Sequence, residues 1–158
     1  MRAFGASEFV GDAVVARPDL ADLVLGGGQI PEPRGVVRDE IALARRSVAD
    51  EADPEDARAA FVAATRRAKL WVTVAVAVAD LGGLVETREA TWLLSDLAAE
   101  ILDQAVRFEL GPDARGLAVI AMGKLGGKDI GYGSDLDVLF VYDPACAPRP
   151  DEAGAYFT

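Results

Sequence analysis

The chain has 158 residues, with 26 acidic and 16 basic side chains, one cysteine and no histidine. Its length suits one domain, or one small domain and part of another. The lack of histidine excludes Ser-His-Asp catalysis and histidine-ligated metal sites, and a single cysteine excludes a disulfide framework. A net charge of −10 argues against a nucleic-acid partner, because that binding needs clustered cations. We expect a soluble, cytoplasmic protein whose chemistry uses carboxylates, hydroxyls, lysines and backbone groups.

The sequence gives no sign of a leader or a membrane segment. Glu8 and Asp12 interrupt the N-terminal stretch where a signal peptide would be apolar. The most apolar window, residues 70–79, has only ten residues, whereas a spanning helix needs roughly 20. We therefore expect this window to be buried in a protein core, and we expect no membrane partner.

Residues 1–112 are predicted to form a mainly helical segment. A short helix is expected within residues 7–15, a further turn or two within 19–25, and a helix over 36–48 from its 3.6-residue apolar period. Asp53 and Pro54 are typical of a helix start, so a long helix should run from there to Asp80. The valines at alternate positions 72 to 78 would suit a strand, but the long uncapped helical register favours a helix. A broad apolar stripe predicts another helix from residue 87 to Gly111.

Residues 113–158 are predicted to form a second segment that contains strands. Residues 117–120 are an apolar run that suits a buried strand, residues 122–134 a glycine-rich turn, and residues 135–143 a second strand. The tail from Pro144 is broken by prolines, and residues 153–158 resemble the start of another helix. The fold class predicted from these elements is α+β.

The second predicted strand begins with an Asp-x-Asp motif. Carboxylates two residues apart on a strand lie on the same face, roughly 6–7 Å apart at ~3.3 Å per residue, so Asp135 and Asp137 would both reach a Mg²⁺ ion. The glycines before them let backbone N–H groups approach phosphates, and Ser134 is placed to hydrogen-bond a terminal phosphate. Lys124 or Lys128 would supply positive charge. This pattern predicts metal-dependent nucleotidyl or phosphoryl transfer.

Two other phosphate-binding motifs fit less well. A Walker A loop would need glycine at position 122 and serine or threonine at 129, where the chain has Met122 and Asp129. A Rossmann motif is suggested by Gly123, Gly126 and the later Asp143. However, a crossover helix between parallel strands needs about a dozen residues, and the glycine-rich stretch is too short for one.

The stretch MGKLGGKDIGYGSDLDVLF resembles the signature of the glutamine synthetase adenylyltransferase/adenylyl-removing enzyme family, in the polymerase-β-like nucleotidyltransferase superfamily. It departs mildly, with Ala121 where glycine is common and Asp129-Ile130 in place of Glu-Leu. The upstream stretches FGASEFVGDAVVARPDL and REATWLLSDLAAEILDQAV also resemble helical segments that precede the signature. The resemblance therefore covers most of the chain.

The resemblance implies an enzyme that transfers AMP from ATP to a tyrosine of glutamine synthetase, or removes it by phosphorolysis. It implies Mg²⁺ as cofactor and PII-type signal proteins as partners. By this resemblance Asp135 and Asp137 form the catalytic, metal-binding pair. The nucleotide-phosphate turn comprises the residues Lys124, Gly126, Gly127 and Ser134. Residues 113–158 would then be the opening strands of a nucleotidyltransferase domain with a mixed sheet.

The resemblance also predicts what the chain lacks. The superfamily uses a third carboxylate on a later strand, and Asp143, Asp151 and Glu152 lack a suitable strand context. Family members are several times longer and contain two catalytic halves, so we expect this chain to correspond to the first part of one half. Whether that half adds or removes AMP stays open at this point. So does an alternative in which the chain is an inactive helical scaffold or an ATP-binding or docking module.

Overall fold

The computed structural model describes residues 8–22, 30–48, 53–112 and 114–147. Within these ranges the elements are α1 (Glu8–Ala16), α2 (Pro33–Ser47), α3 (Pro54–Leu81), α4 (Thr87–Leu110), β1 (Leu117–Ala121), α5 (Gly123–Gly126) and β2 (Val138–Tyr142). Short 3₁₀ turns occupy Pro18–Leu20 and Pro144–Cys146. The sequence-based order of helices followed by two strands is confirmed. The helix expected in residues 153–158, and part of the turn expected in 19–25, lie outside the described residues.

Helix α2 begins three residues earlier than its apolar period predicted. The Glu32 carboxylate accepts hydrogen bonds from the backbone N–H groups of Arg34 and Gly35, at 3.0 and 2.6 Å. Pro33 occupies the first helical turn, where its missing N–H group costs nothing. The sequence Glu-Pro at 32–33 is thus a helix start.

Helix α3 runs through the valine-rich stretch, so the alternative of a strand there is wrong. Val72 and Val76 pack into a core cluster shared with α2 and α4, whereas Val74 and Val78 pack against α1 and the turn after it. Residues four apart share one face of a helix, and residues two apart lie on nearly opposite faces. The alternating valines therefore mark a helix that is buried on two sides.

Helices α2, α3 and α4 pack against one another and form the main core. Its buried members are small or branched side chains, such as Val37, Ile41, Ala68 and Leu94. The predicted start of α3 is confirmed, with the Asp53 carboxylate accepting the N–H of Glu55 at 3.0 Å. Helix α4 ends at Leu110 before Gly111, as predicted.

A charged group on α4 is buried between the helices. The Glu100 side chain is only 2% exposed, and its two carboxylate oxygens accept hydrogen bonds from Arg38 of α2 at 2.8 and 3.1 Å. Gln104 donates a third hydrogen bond at 2.9 Å. Burial alone would raise the pKa of Glu100, but the hydrogen bonds from Arg38 and Gln104 together outweigh it and lower that pKa. The pair therefore fixes α2 on α4 with the carboxylate in its ionised form.

Strands β1 and β2 form one antiparallel pair. Leu117 lies opposite Tyr142, and Ala121 lies opposite Val138. Antiparallel pairing excludes the βαβ crossover of a Rossmann motif. The mixed sheet expected from the sequence is not seen in the described ranges, which contain this antiparallel pair alone. Large apolar side chains on the pair are about half exposed, among them Ile120, Leu139 and Phe140.

The described helices include none with the length and apolar character that a membrane span requires.

Candidate functional site

The two aspartates of the Asp-x-Asp motif lie just before β2 rather than on it. The strand begins at Val138, so the prediction that residues 135–137 belong to it is wrong. Only the Asp137 carbonyl extends the pairing, accepting the N–H of Met122 at 2.9 Å. Beyond Met122 the partner chain turns away into α5, which leaves Asp135 and Leu136 with no strand to pair with.

Both aspartate side chains are available to a ligand. Asp135 and Asp137 are exposed, and neither carboxylate forms a hydrogen bond or an ion pair within the described part of the chain. The metal prediction assumed that strand alternation puts both carboxylates on one face, and this reason does not apply because the strand begins at Val138. What supports the prediction is that both carboxylates are unpartnered and lie close in sequence to a glycine-rich turn.

Gly123 brings the turn and Asp137 together. It has a φ of +49°, and a Cβ atom placed on it would lie 2.6 Å from Oδ2 of Asp137. Any other residue here would strain the backbone, because the φ of Gly123 is positive, and the exposed Asp137 carboxylate would have to move aside. Sequence analysis used Gly123 only for the Rossmann alternative and missed this role. The sequence signal that could have identified this role is the position of Gly123 directly after a strand, next to Met122.

The two glycines predicted to bind the nucleotide phosphates, Gly126 and Gly127, differ in whether a side chain would fit at their positions. A Cβ atom on Gly126 would lie 2.6 Å from the carbonyl oxygen of Ala121, so α5 approaches the end of β1 as closely as backbone allows. At Gly127 the nearest atom would be the carbonyl oxygen of Gly123 at 3.5 Å, an ordinary contact. The fold therefore requires glycine at position 126, whereas position 127 has room for a side chain.

The lysines of the turn differ in their surroundings. Lys124 is exposed on α5 and forms no ion pair with a carboxylate of the described residues. The Lys128 ammonium group lies 3.2 Å from the Asp96 carboxylate on α4, which also contacts Arg34 at 3.4 Å. Of the two, Lys124 is the cation free to contact a phosphate.

Ser134 is half-buried next to the aspartates. Its hydroxyl oxygen accepts the N–H of Gly131 at 3.1 Å, and its own N–H donates to the Gly131 carbonyl at 3.1 Å. These two bonds close the turn and leave the hydroxyl proton to donate elsewhere. The position agrees with the predicted contact to a phosphate, which stays a prediction.

Helix α4 packs against the glycine-rich turn and forms a hydrogen bond with it. Leu125 and Ile130 are buried members of the helical core, although they belong to the turn. The N–H of Ile130 donates to the buried Ser95 hydroxyl at 3.4 Å, and that hydroxyl donates to the Thr91 carbonyl at 2.7 Å. The site thus rests on a rigid helix, a connection that sequence analysis missed.

Tyr132 ties the turn to the end of α3. Its hydroxyl group donates to the Asp80 carboxylate at 3.1 Å. Burial raises the pKa of Tyr132 well above its usual range, and the negative charge of Asp80 and this hydrogen bond raise it further. The phenol is therefore neutral and able to donate throughout the physiological pH range.

The donor set fits Mg²⁺ in part. Among the described residues there is no group of three or more acidic, cysteine or histidine side chains able to hold a metal. Mg²⁺, however, is bound in many sites by one or two carboxylates together with phosphate oxygens and water. Asp135 and Asp137 are side chains of the type that such a site uses, and their binding of Mg²⁺ stays a prediction.

Comparisons with known proteins agree on one family. The sequence model of the glutamate-ammonia ligase adenylyltransferase family matches residues 1–157. A bifunctional glutamine synthetase adenylyltransferase/adenylyl-removing enzyme of Nocardia farcinica is 35% identical over 158 residues, which cover 95% of this chain and 15% of the relative. Enzymes with the same name from Corynebacterium efficiens and Mycobacterium bovis are 32% and 35% identical, covering 99% and 92% of this chain. The chain therefore spans about 15% of the length of these relatives.

Proposed function

The chain belongs to the glutamate-ammonia ligase adenylyltransferase family, and we therefore propose that it serves in Mg²⁺-dependent nucleotidyl transfer on glutamine synthetase. In this proposal AMP passes from ATP to a tyrosine of glutamine synthetase, or is removed from it by phosphorolysis. The observation that carries the proposal is the pair of unpartnered carboxylates, Asp135 and Asp137, in the segment just before β2, with Asp137 beside Gly123 of the glycine-rich turn. PII-type signal proteins are the proposed regulatory partners, and the cytoplasm, where ATP is available, is the proposed location.

Asp135 and Asp137 are the proposed metal-binding and catalytic residues. When bound, Mg²⁺ would neutralise charge that develops on the phosphate oxygens during transfer. The protein's own contribution is to place both carboxylates just before β2, where the Asp137 carbonyl accepts the N–H of Met122 and the Asp137 side chain lies beside Gly123. The proposal requires a nucleotide phosphate as a further ligand, because the described residues offer no third carboxylate.

The turn is the proposed phosphate-binding element. In this proposal Gly126 and Gly127 let a phosphate approach without side-chain obstruction rather than bind it themselves, because their own N–H groups already donate to the carbonyl oxygens of Met122 and Gly123 at 2.9 and 3.0 Å. The groups that would contact the phosphate are the Lys124 ammonium group, on α5, and the hydroxyl proton of Ser134. Anchoring of the turn on α4 supports this role, since a phosphate site works best on a rigid support. The sheet of two strands is, in this proposal, the beginning of a polymerase-β-like nucleotidyltransferase domain.

A second candidate is a scaffold or docking module without catalysis. It is favoured by the half-exposed apolar side chains on the two-stranded sheet, since an isolated pair of strands is marginally stable at best. In that case the chain binds ATP weakly or not at all, and other parts of a larger protein perform the transfer.

A graft into a full-length relative separates the two candidates. The 158 residues would replace the matched segment of the Nocardia farcinica enzyme, and AMP transfer to and from glutamine synthetase would be measured. We expect the graft to be active and the Asp135→Asn/Asp137→Asn graft to lose about a thousandfold in rate, about 4 kcal/mol of transition-state stabilisation. An Asp143→Asn graft is the matched control, because Asp143 caps the 3₁₀ turn after β2. Full activity in the double variant would reject Asp135 and Asp137 as metal-binding residues and would favour the second candidate, a scaffold or docking module.

A further inference from the structure

An open depression of about 440 Å³ lies between the first turns of α4 and the glycine-rich turn. Helix α4 contributes Arg88, Thr91 and Trp92, which share one face because they are three and four residues apart. The turn contributes Gly123 and Lys124 among others. None of the α4 residues belongs to the site described above.

The depression carries positive charge in a chain that is acidic as a whole. Arg88 and Lys124 form no ion pair with any carboxylate of the described residues. Lys128 also lines it but pairs with Asp96, and Asp129 is its one lining carboxylate. Arg88 and Lys124 outnumber the one lining carboxylate, which favours an anionic ligand against these two side chains; the Asp137 carboxylate lies outside the lining, beside Gly123.

Trp92 holds Arg88 in a defined position. The Arg88 guanidinium group lies over the indole ring, 4.8 Å from its centroid, within the range of a cation–π interaction. The ring is 44% exposed at the wall of the depression, so its packing in the core does not account for its position. A guanidinium group that is ordered in advance loses less entropy when it binds a phosphate.

The depression lies next to Asp137, one of the two carboxylates of the candidate site. Gly123 lines it and also contacts the Asp137 carboxylate, so one residue separates the two features.

We propose that this depression binds the di- or triphosphate chain of a nucleotide, with Arg88 of α4 and Lys124 of the turn as its cationic contacts. The inference rests on the proposed function for the identity of the nucleotide, and it extends the site to a helix outside the sheet and turn. Trp92 acts as a positioning residue for Arg88. Free inorganic polyphosphate shares the recognised chemistry, and the experiment below distinguishes it from the nucleotide.

The first measurement uses the 158-residue chain without metal. Calorimetric titration with inorganic tripolyphosphate should give saturable binding that Arg88→Ala weakens about tenfold, or about 1.4 kcal/mol. Arg45→Ala is the matched control, because Arg45 lines a separate depression near Phe61 and Phe108 and is expected to leave the affinity unchanged. Equal losses in the two variants, or no binding of tripolyphosphate to the unaltered chain, would overturn the proposal.

The second measurement locates the ligand and identifies its source. The chain has two tryptophans, so Trp71→Phe leaves Trp92 as the sole reporter, and tripolyphosphate should change its fluorescence whereas adenosine should not. ATP affinity should fall in Arg88→Ala by the same factor as tripolyphosphate affinity, with AMP affinity unchanged. An Arg88→Ala effect on tripolyphosphate but none on ATP would reject the nucleotide as occupant.

These results separate this inference from the proposed function. Metal-free tripolyphosphate binding that depends on Arg88, together with an inactive graft, would retain the depression as a polyphosphate site and reject nucleotidyl transfer. If the graft is active and Arg88→Ala leaves its KM for ATP unchanged, the depression is not the polyphosphate site, but the proposal of nucleotidyl transfer stands.

Discussion

Replacing Gly126 with alanine tests how closely the glycine-rich turn is fitted to the sheet. The new Cβ atom would lie 2.6 Å from the Ala121 carbonyl oxygen and 3.2 Å from the Ala121 carbonyl carbon. Real Cβ atoms almost never come within 3.0 Å of another heavy atom. Because both contacts are with backbone, no side-chain rotation relieves them, and either α5 or the end of β1 must move.

The expected cost follows from this forced movement. Inserting a methyl group where the surroundings cannot yield typically costs about 1–3 kcal/mol. Gly127→Ala is the matched control one residue away, with its nearest contact at 3.5 Å and a right-handed helical backbone. Alanine at a compatible glycine position stabilises by about 0.4–1 kcal/mol, because it reduces the entropy of the unfolded chain. The two neighbouring variants should therefore change stability in opposite directions.

Urea denaturation of both variants measures the difference. The turn unfolds together with the helices, since Leu125 and Ile130 are part of the core, so the global free energy of unfolding reports the change. If Gly126→Ala and Gly127→Ala have the same free energy of unfolding, including the case in which both lose stability equally, the close approach of α5 to β1 is refuted.

Three further variants test the supports of the site. Glu100→Gln should lose stability at neutral pH. The pKa of Glu100 is lower in the folded chain than its unfolded value of 4.5, so the ionised group stabilises the fold above that pH and stops doing so as the pH falls further. The difference in free energy of unfolding between Glu100→Gln and the unaltered chain should therefore shrink in denaturation curves from pH 7 to pH 3. A difference that stays constant would contradict the ionised pair. Tyr132→Phe should cost about 0.5–1 kcal/mol, since its bond to Asp80 is partly screened by solvent, and thermal unfolding unchanged from the parent would show that this contact is not formed. Val76→Ala should cost about 2–3 kcal/mol, because two buried methyl groups are lost from the core, and a cost below about 0.5 kcal/mol would contradict the burial of Val76 between the helices.

The helical part of the fold could be predicted from local signals. Asp53 and Pro54 begin α3 where their capping chemistry predicted, and Gly111 follows the end of α4. The valines at 72 to 78 were ambiguous because a period of two residues also results when a helix is buried on two nearly opposite faces. Only the packing of α1 on α3 resolves that ambiguity, and such packing is not a local property of the sequence.

The start of β2 could not be predicted because it depends on the partner strand. Residues 135–137 have the alternation of a strand, yet β1 ends at Ala121 when the chain turns at Gly123. A strand extends only as far as its partner offers hydrogen bonds. The Asp-x-Asp motif consequently lies at the mouth of the sheet, where both carboxylates are exposed.

Sequence analysis named the residues of the candidate site but not the contacts that support them. Asp135, Asp137 and Ser134 were identified from their types and spacing, and their roles stay predictions. The contacts of Ser95 with Ile130 and of Asp80 with Tyr132 join residues 35 and 52 positions apart. Pairs so distant in sequence leave no periodic pattern that sequence analysis could recognise.

Binding of ATP to the chain with and without Mg²⁺ tests the central claim most directly. Calorimetric titration should show ATP affinity increased by Mg²⁺ in the unaltered chain, because the metal joins the nucleotide phosphates to Asp135 and Asp137. In Asp135→Asn/Asp137→Asn the increase should disappear while metal-free affinity for ATP is retained. An affinity for ATP that is independent of Mg²⁺ in the unaltered chain, or an equal increase in the double variant, would contradict the proposed site.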